Sequence, residues 1–304
     1  MYDIGIIGGG TAGMTAAIYG QRAGKKVIIF ESMTYGGQIT TSPKVENYPG
    51  IASVSGSEFA TNLLEQAMSL GAETELEKVT GIVEKNGVKV ILAGGSEFPC
   101  KTVIIATGVT HRHLGVRREE KLIGAGVSYC ATCDGAFFKN REVAVVGGGN
   151  TALQDAAFLS NYCKKVYLVH RRDEFRGESG LVKPLEEKDN VEFVLDCVVK
   201  EIKGEDVVEG IIVQNKKTGE EQEIPVAGIF VAVGQIPQNQ EFEEVVRLDG
   251  DGFILASEDC MTSKPGVFVA GDCRTKDVRQ LTTAAADGAV AALAACSYLD
   301  RILK

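Results

Sequence analysis

The sequence has no apolar run long enough to cross a bilayer, no excess of basic residues, no low-complexity linker and no cysteine framework. Each absence removes a class of protein. A membrane-spanning helix needs about 20 consecutive apolar residues, so none is predicted. The chain opens directly on a buried-strand pattern, Tyr2–Ile7, with no basic segment or small-residue cleavage site before it. No export signal is therefore predicted, and a cytoplasmic location is expected. Forty-one acidic residues against 32 basic ones give a net charge of −9, which leaves no basic surface for nucleic-acid phosphates. Eight cysteines in 304 residues do not make a disulfide scaffold. Six of them (Cys100, Cys163, Cys197, Cys260, Cys273 and Cys296) stand alone, as small buried hydrophobes do in a reducing compartment. No second close pair completes a zinc site, so no metal is expected. A hydrophobic fraction of 44% excludes disorder, and the length suggests roughly two domains.

Glycine, by contrast, is plentiful, and much of it falls in GG and GGG runs. These runs belong to an internal repeat. The first copy reads as a strand, Tyr2–Ile7, then Gly8-Gly9-Gly10-Thr11-Ala12-Gly13, then an Ala-rich helix to Ala23 stopped by Gly24, then an apolar strand, Lys26–Phe30, ending at Glu31. The second reads Glu142–Val146, Gly147-Gly148-Gly149-Asn150-Thr151-Ala152, a helix to about Tyr162, and Val166–Val169 ending at His170. Short continuous apolar strands around a helix predict an α/β fold with parallel sheets covered on both faces. Further strands are predicted at Gly87–Ile91, Val103–Ile105, Val191–Leu195, Val207–Val213, Ile229–Val233 and Val267–Ala270, with a last Ala-rich helix from about Thr283 to Leu299.

A lone G-x-G-x-x-G is weak evidence; its context strengthens it. Gly8, Gly10 and Gly13 stand between strand and helix, where a missing Cβ lets a pyrophosphate approach the helix N-terminus. Glu31 ends the next strand, about twenty residues on, where a carboxylate accepts from a ribose hydroxyl. The second loop carries G-x-G-x-x-A at Gly147, Gly149 and Ala152, and its strand ends in His170-Arg171-Arg172 with Arg176 beyond. Guanidinium groups at that place clamp a 2′-phosphate that a carboxylate repels. FAD in the first site and NADPH in the second is the economical assignment, and an enzyme holding both moves hydride from nicotinamide to flavin.

The remaining close pair is Cys130-Ala131-Thr132-Cys133, followed by Asp134 and Gly135. Two unrelated buried thiols or a structural disulfide are the bland readings. C-x-x-C spacing equally permits a redox disulfide in which one thiol attacks and the other resolves, with Asp134 protonating or deprotonating the departing thiolate. The redox reading fits the nucleotide sites best.

Taken together, these stretches resemble the bacterial-type thioredoxin reductases over essentially the whole chain. The match runs through Gly8–Gly13, Gly36-Gly37-Gln38, Val45–Gly50, Ala106-Thr107-Gly108, Cys130–Gly135, Gly147–Ala152, His170–Arg176, and Gly271-Asp272 with Arg279-Gln280. The resemblance implies two Rossmann-like dinucleotide-binding domains, the second inserted into the first: an FAD domain at 1–112 and 242–304, and an NADPH domain with the cysteine pair at 113–241. By position, Gln38, Asn47, Thr107, Asp272, Arg279 and Gln280 would line the FAD, and Asn150, Thr151 and His170 would join the NADPH site. It also implies a homodimer, a thioredoxin as the acceptor, and domains that swing to present the flavin to each partner in turn. A reduced iron–sulfur protein as donor, a glutaredoxin-like acceptor, or a non-enzymatic redox sensor are the alternatives. The chain departs from the family pattern at Gly177, Gln238 and Cys273, of which Cys273 is read as a buried apolar substitute.

Overall fold

The computed structural model describes residues 1–302 and divides them into two compact units, 1–110 with the returning segment from 236, and 111–235.

The first unit begins β1 (Tyr2–Ile7), α1 (Thr11–Arg22), β2 (Val27–Phe30), α2 (Gly56–Ser69), β3 (Glu73–Glu75), β4 (Val79–Lys85), β5 (Val88–Ala93), β6 (Ser96–Ile105) and β7 (Val109–His111). Its sheet runs β3-β2-β1-β6-β5-β4. Strands β3, β2, β1 and β6 are parallel, whereas β5 pairs antiparallel with the first half of β6 and β4 pairs antiparallel with β5. Gly87, predicted to start a strand, instead forms a two-residue turn with Asn86, at φ 78 and φ 52. Positive φ at both centres is what a tight hairpin matching the strand twist requires, and Asn-Gly supplies it.

The second unit contains β8 (Val127–Ser128), α3 (Ala131–Asp134), β9 (Glu142–Gly147), α4 (Asn150–Leu159), β10 (Lys165–Val169), α5 (Ser179–Glu186), β11 (Val191–Val194), β12 (Cys197–Lys203), β13 (Gly210–Asn215), β14 (Glu221–Ile224) and β15 (Gly228–Ala232). Strands β11-β10-β9-β15-β8 form a parallel sheet. Strands β12, β13 and β14 form an antiparallel meander. The predicted strand over Val207–Val213 starts only at Gly210, because Val207 lies in the turn after Gly204 (φ 111). The helix predicted to Tyr162 ends at Leu159.

The chain leaves this unit through β16 (Gln235–Pro237), which pairs with β7, and completes the first unit with β17 (Val267–Val269) and α6 (Leu281–Ile302). Strand β17 pairs parallel with the second half of β6. Each parallel sheet is buried on both faces, as its continuous apolar strands require. In the first unit α1 and α6 cover one face, with Met14, Ile18, Ala291 and Leu299 in the core. In the second, α4 and α5 cover one face through Leu153, Leu159 and Leu185, and the meander covers the other through Ile202, Ile211 and Ile224. Among the described residues no helix is long and apolar enough to cross a membrane.

Candidate functional site

In the first unit the glycine loop lies at the C-terminal ends of β1, β6 and β17. Gly8 sits at φ +112, and a Cβ there would lie 2.2 Å from the Ala106 carbonyl oxygen. A Cβ on Gly13 would lie 1.9 Å from the Gly8 oxygen. Both glycines are therefore fixed by backbone packed against backbone, which presents the loop amides at the start of α1. Glu31 closes round the loop: its carboxylate accepts from the Gly9 N–H at 2.9 Å and from the Ser32 and Met33 N–H groups at 2.8 and 3.0 Å.

The other residues of the predicted FAD set gather on the same unit in several local pairs. The Gln38 amide donates to the Val109 carbonyl. Asn47 donates to the Gln280 side-chain oxygen at 3.2 Å. The Thr107 hydroxyl donates to Asn239 Oδ1 at 3.0 Å. The Arg279 guanidinium donates to the Asp272 carbonyl at 3.3 Å and lies 4.3 Å over the Phe253 ring. Asp272 Oδ1 is buried and has no hydrogen-bond partner among the described residues. Burial pushes its carboxyl up, while Lys276 and Arg279 pull the other way. Leaving a buried acceptor unpaired costs about 1–3 kcal/mol, so this oxygen suits a hydroxyl donor from outside the chain.

Two supports were not read from the sequence. Asn239, 1% exposed, donates to the Gly252 and Cys273 carbonyls at 2.9 Å while accepting from Thr107. Asp287, on α6, accepts from the Gly271 N–H at 3.0 Å, from the buried Arg274 through two bonds of 2.8 Å, and from Lys276 at 2.9 Å. The signal was present: Asp287 is the single charged side chain in the Ala-rich run from Leu281 to Leu299. The Cys273 thiol is fully buried and contacts backbone oxygens of Ala270 and Ile105, so it packs like the small apolar residue expected there.

In the second unit, Gly147 lies against Ala152, where a Cβ would come within 2.7 Å of the alanine methyl. His170 lies beneath the loop: a Cβ on Gly148 would meet its ring at 2.1 Å, and its Nε2 is 3.1 Å from the Glu174 carbonyl oxygen. Burial, and then the neighbouring arginines, hold its pKa below the ordinary value, so it props the loop as a neutral ring. Arg176 N–H donates to the Gly148 oxygen at 2.8 Å, which brings the arginine segment onto the loop. Asn150 and Glu178 pin that segment reciprocally, at 3.0 and 2.8 Å. Arg171, Arg172 and Arg176 are exposed, as is Thr151 at the start of α4.

Cys130 and Cys133 are joined in a disulfide at the start of α3, and Cys133 is exposed. Helix α3 packs on α4, the helix whose N-terminus is the second glycine loop, and Ala131 joins the core cluster that holds Ala152, Ala156 and Leu159. Ser128 accepts from the Cys130 N–H at 3.1 Å and donates to Asp134 Oδ2 at 2.6 Å. Burial raises the Asp134 carboxyl above the usual aspartate range, and the Ser128 hydroxyl only partly offsets it. Asp134 therefore keeps a proton more readily than a free aspartate does.

Residues 2–288 match the family model described as pyridine nucleotide-disulphide oxidoreductase. The chain is similar to the thioredoxin reductase of Peptoclostridium acidaminophilum, with 41% identity over 99% of this chain and 98% of that protein. It is also similar to the crystal structure of the Streptococcus pyogenes MGAS5005 thioredoxin reductase, at 41% identity and a TM-score of 0.94, covering 99% of both chains. The thioredoxin reductase from Giardia duodenalis superimposes at a TM-score of 0.93 with 36% identity, covering 98% of this chain and 99% of that one.

Proposed function

The chain belongs to the thioredoxin reductases of the pyridine nucleotide-disulphide oxidoreductase family, and from that premise we propose that it uses NADPH and FAD to reduce the disulfide of a thioredoxin. The observation that carries this reading is the Cys130–Cys133 disulfide on a helix packed against the helix that opens from the second glycine loop. The first unit would hold FAD at Gly8, Gly10, Gly13, Glu31 and Asp272, whose unpaired oxygen fits a ribityl hydroxyl. The second would hold NADPH at Gly147, Gly149 and Ala152, with Arg171, Arg172 and Arg176 around the 2′-phosphate. When bound, the nicotinamide and flavin supply the two electrons that open the Cys130–Cys133 disulfide.

The protein's own chemistry then follows from the thiols. One thiolate of the reduced pair attacks a sulfur of the acceptor disulfide and forms a mixed disulfide. The other thiolate displaces the acceptor, which leaves as a dithiol once its sulfurs are protonated, and Cys130–Cys133 closes again. Asp134, next to Cys133 and raised above the usual aspartate range by burial, would hold and release one of those protons. Exposed Tyr19 on α1 and Val290 and Leu293 on α6 support pairing with a second copy of the chain.

Anaerobic addition of NADPH to the yellow protein, followed by oxidised thioredoxin, tests the reading. Cys133→Ser should still bleach with NADPH yet lose sustained thioredoxin reduction, because one sulfur cannot cycle. Wild-type turnover by that variant would overturn the assignment.

A further inference from the structure

The basic cluster His111-Arg112-His113 has no part in the scheme above, yet it lies where the chain begins the second unit. Two of its rings converge on one residue. His111 stacks on Tyr129, with centroids 4.7 Å apart and planes 18° apart, and His113 meets the same ring edge-on at 5.5 Å. Tyr129 Oη lies 2.9 Å from His113 Nδ1 and donates to Glu119 Oε1 at 2.9 Å. Glu119 is 2% exposed, and its two oxygens also accept from the Leu114 and Gly115 N–H groups at 2.8 Å each. Tyr129 is followed directly by Cys130 and preceded by Ser128, which holds both the Cys130 N–H and Asp134.

We propose that Tyr129 is a positioning residue for the Cys130–Cys133 pair and that the protonation state of His113 sets how firmly it is held. The proposal rests on Cys130–Cys133 being the redox pair. A phenol has one proton, and in this array that proton goes to the Glu119 carboxylate. The Tyr129 oxygen therefore accepts from His113, which requires a hydrogen on Nδ1. The imidazolium always carries that hydrogen, and its Nδ1 lies 3.7 Å from Glu119 Oε1. The neutral ring carries it in only one tautomer; in the other, Nδ1 competes with Glu119 for the phenol proton and loosens the array. The groups acting on the cluster are Glu119, Glu120, Tyr129, His111 and the adjacent Arg112. His111 does not compete for the titration: burial, with the charge of His113 second, lowers it to about 4. Tyr129 stays protonated, raised first by burial and then by its bond to Glu119.

The test measures the Cys130–Cys133 dithiol–disulfide equilibrium of the holoenzyme against dithiothreitol from pH 5.5 to 8.5, read by thiol alkylation and peptide mass. Glutamine keeps a side-chain donor without titrating, so His113→Gln should hold the equilibrium near its low-pH setting and flatten the part of the pH profile that His113 contributes. Tyr129→Phe keeps the ring stack, loses both hydroxyl contacts, and should shift the equilibrium constant by about three- to ten-fold. It should also abolish the difference between wild type and His113→Gln. NADPH bleaching of both variants should match wild type. A His113→Gln profile that superimposes on wild type overturns the proposal, and because His113 is 46% exposed that variant decides the matter even if Tyr129→Phe does not fold. A pair that dithiothreitol never opens in wild type would instead overturn the redox reading beneath it.

Discussion

At the second glycine loop three guanidinium groups stand exposed, and among the described residues none has a carboxylate partner. Cations kept solvated in a chain of net charge −9 are available to a phosphate rather than committed to the fold. Arg171→Ala and Arg172→Ala should each weaken NADPH by about 1.5–3 kcal/mol, roughly ten- to a hundred-fold, because a charge-assisted contact is lost. NADH, which lacks the 2′-phosphate, should bind as before; isothermal titration with both nucleotides checks this. Equal losses would mean that the arginines do not read the phosphate. Residues of this kind were legible in the sequence because loop, strand end and basic run lie within one supersecondary unit. Asn239 was not, since its partner Thr107 is far away in sequence and only the fold brings them together. His170 was placed with the arginines by position, yet the structure puts its ring under Gly148, a burial that a strand-end location does not reveal.

Among the elements, α6 does more than cover the sheet. Its Asp287 ties the Gly271 amide, Arg274 and Lys276 into one buried network beside Asp272. Burial alone would raise the Asp287 carboxyl, but the hydrogen bonds from Arg274 and Lys276 outweigh it and hold the pKa below the ordinary value. A depressed carboxyl stabilises the fold above its unfolded pKa, near 3.9, and that contribution disappears as pH falls through the lower folded value. Asp287→Asn leaves two buried cations short of a counter-charge and should cost about 3–5 kcal/mol at pH 7. Urea melts at pH 7, 5 and 3 should show the gap to wild type narrowing only below about pH 4; a gap that is constant with pH would deny the carboxylate its role. The helix itself was legible from its alanines, and so were both β-α-β repeats. The antiparallel β4–β5 hairpin was not, because a strand starting at Gly87 takes in half of the Asn86-Gly87 turn.

For the whole molecule, two separate cores imply two separable responses to ligand. The unit of residues 1–110 and 236 onward carries the predicted FAD residues, and 111–235 carries the NADPH residues and the cysteines. Calorimetry of the apoprotein should show FAD and NADP⁺ raising different transitions. At a hundred times Kd each ligand adds about 2.7 kcal/mol to the unit that binds it. For units of this size that is a shift of several degrees. If either ligand moved both transitions together, the chain would be melting as one cooperative block.

The insertion also sets an order of manufacture. Everything the second unit needs lies in one unbroken stretch, 111–235. The first unit must wait for β17 and α6, the final elements to emerge from a ribosome that starts at the other end. Until they arrive, the β6 edge and the face of α1 that packs against α6 stay uncovered, so the nascent chain holds a finished unit inside an unfinished one. A ribosome stalled once β15 has cleared its exit tunnel, but before β17 and α6 have, should therefore display a protease-resistant inserted unit flanked by a cleavable, aggregation-prone half-sheet, and that interval of translation is when this protein most needs a chaperone.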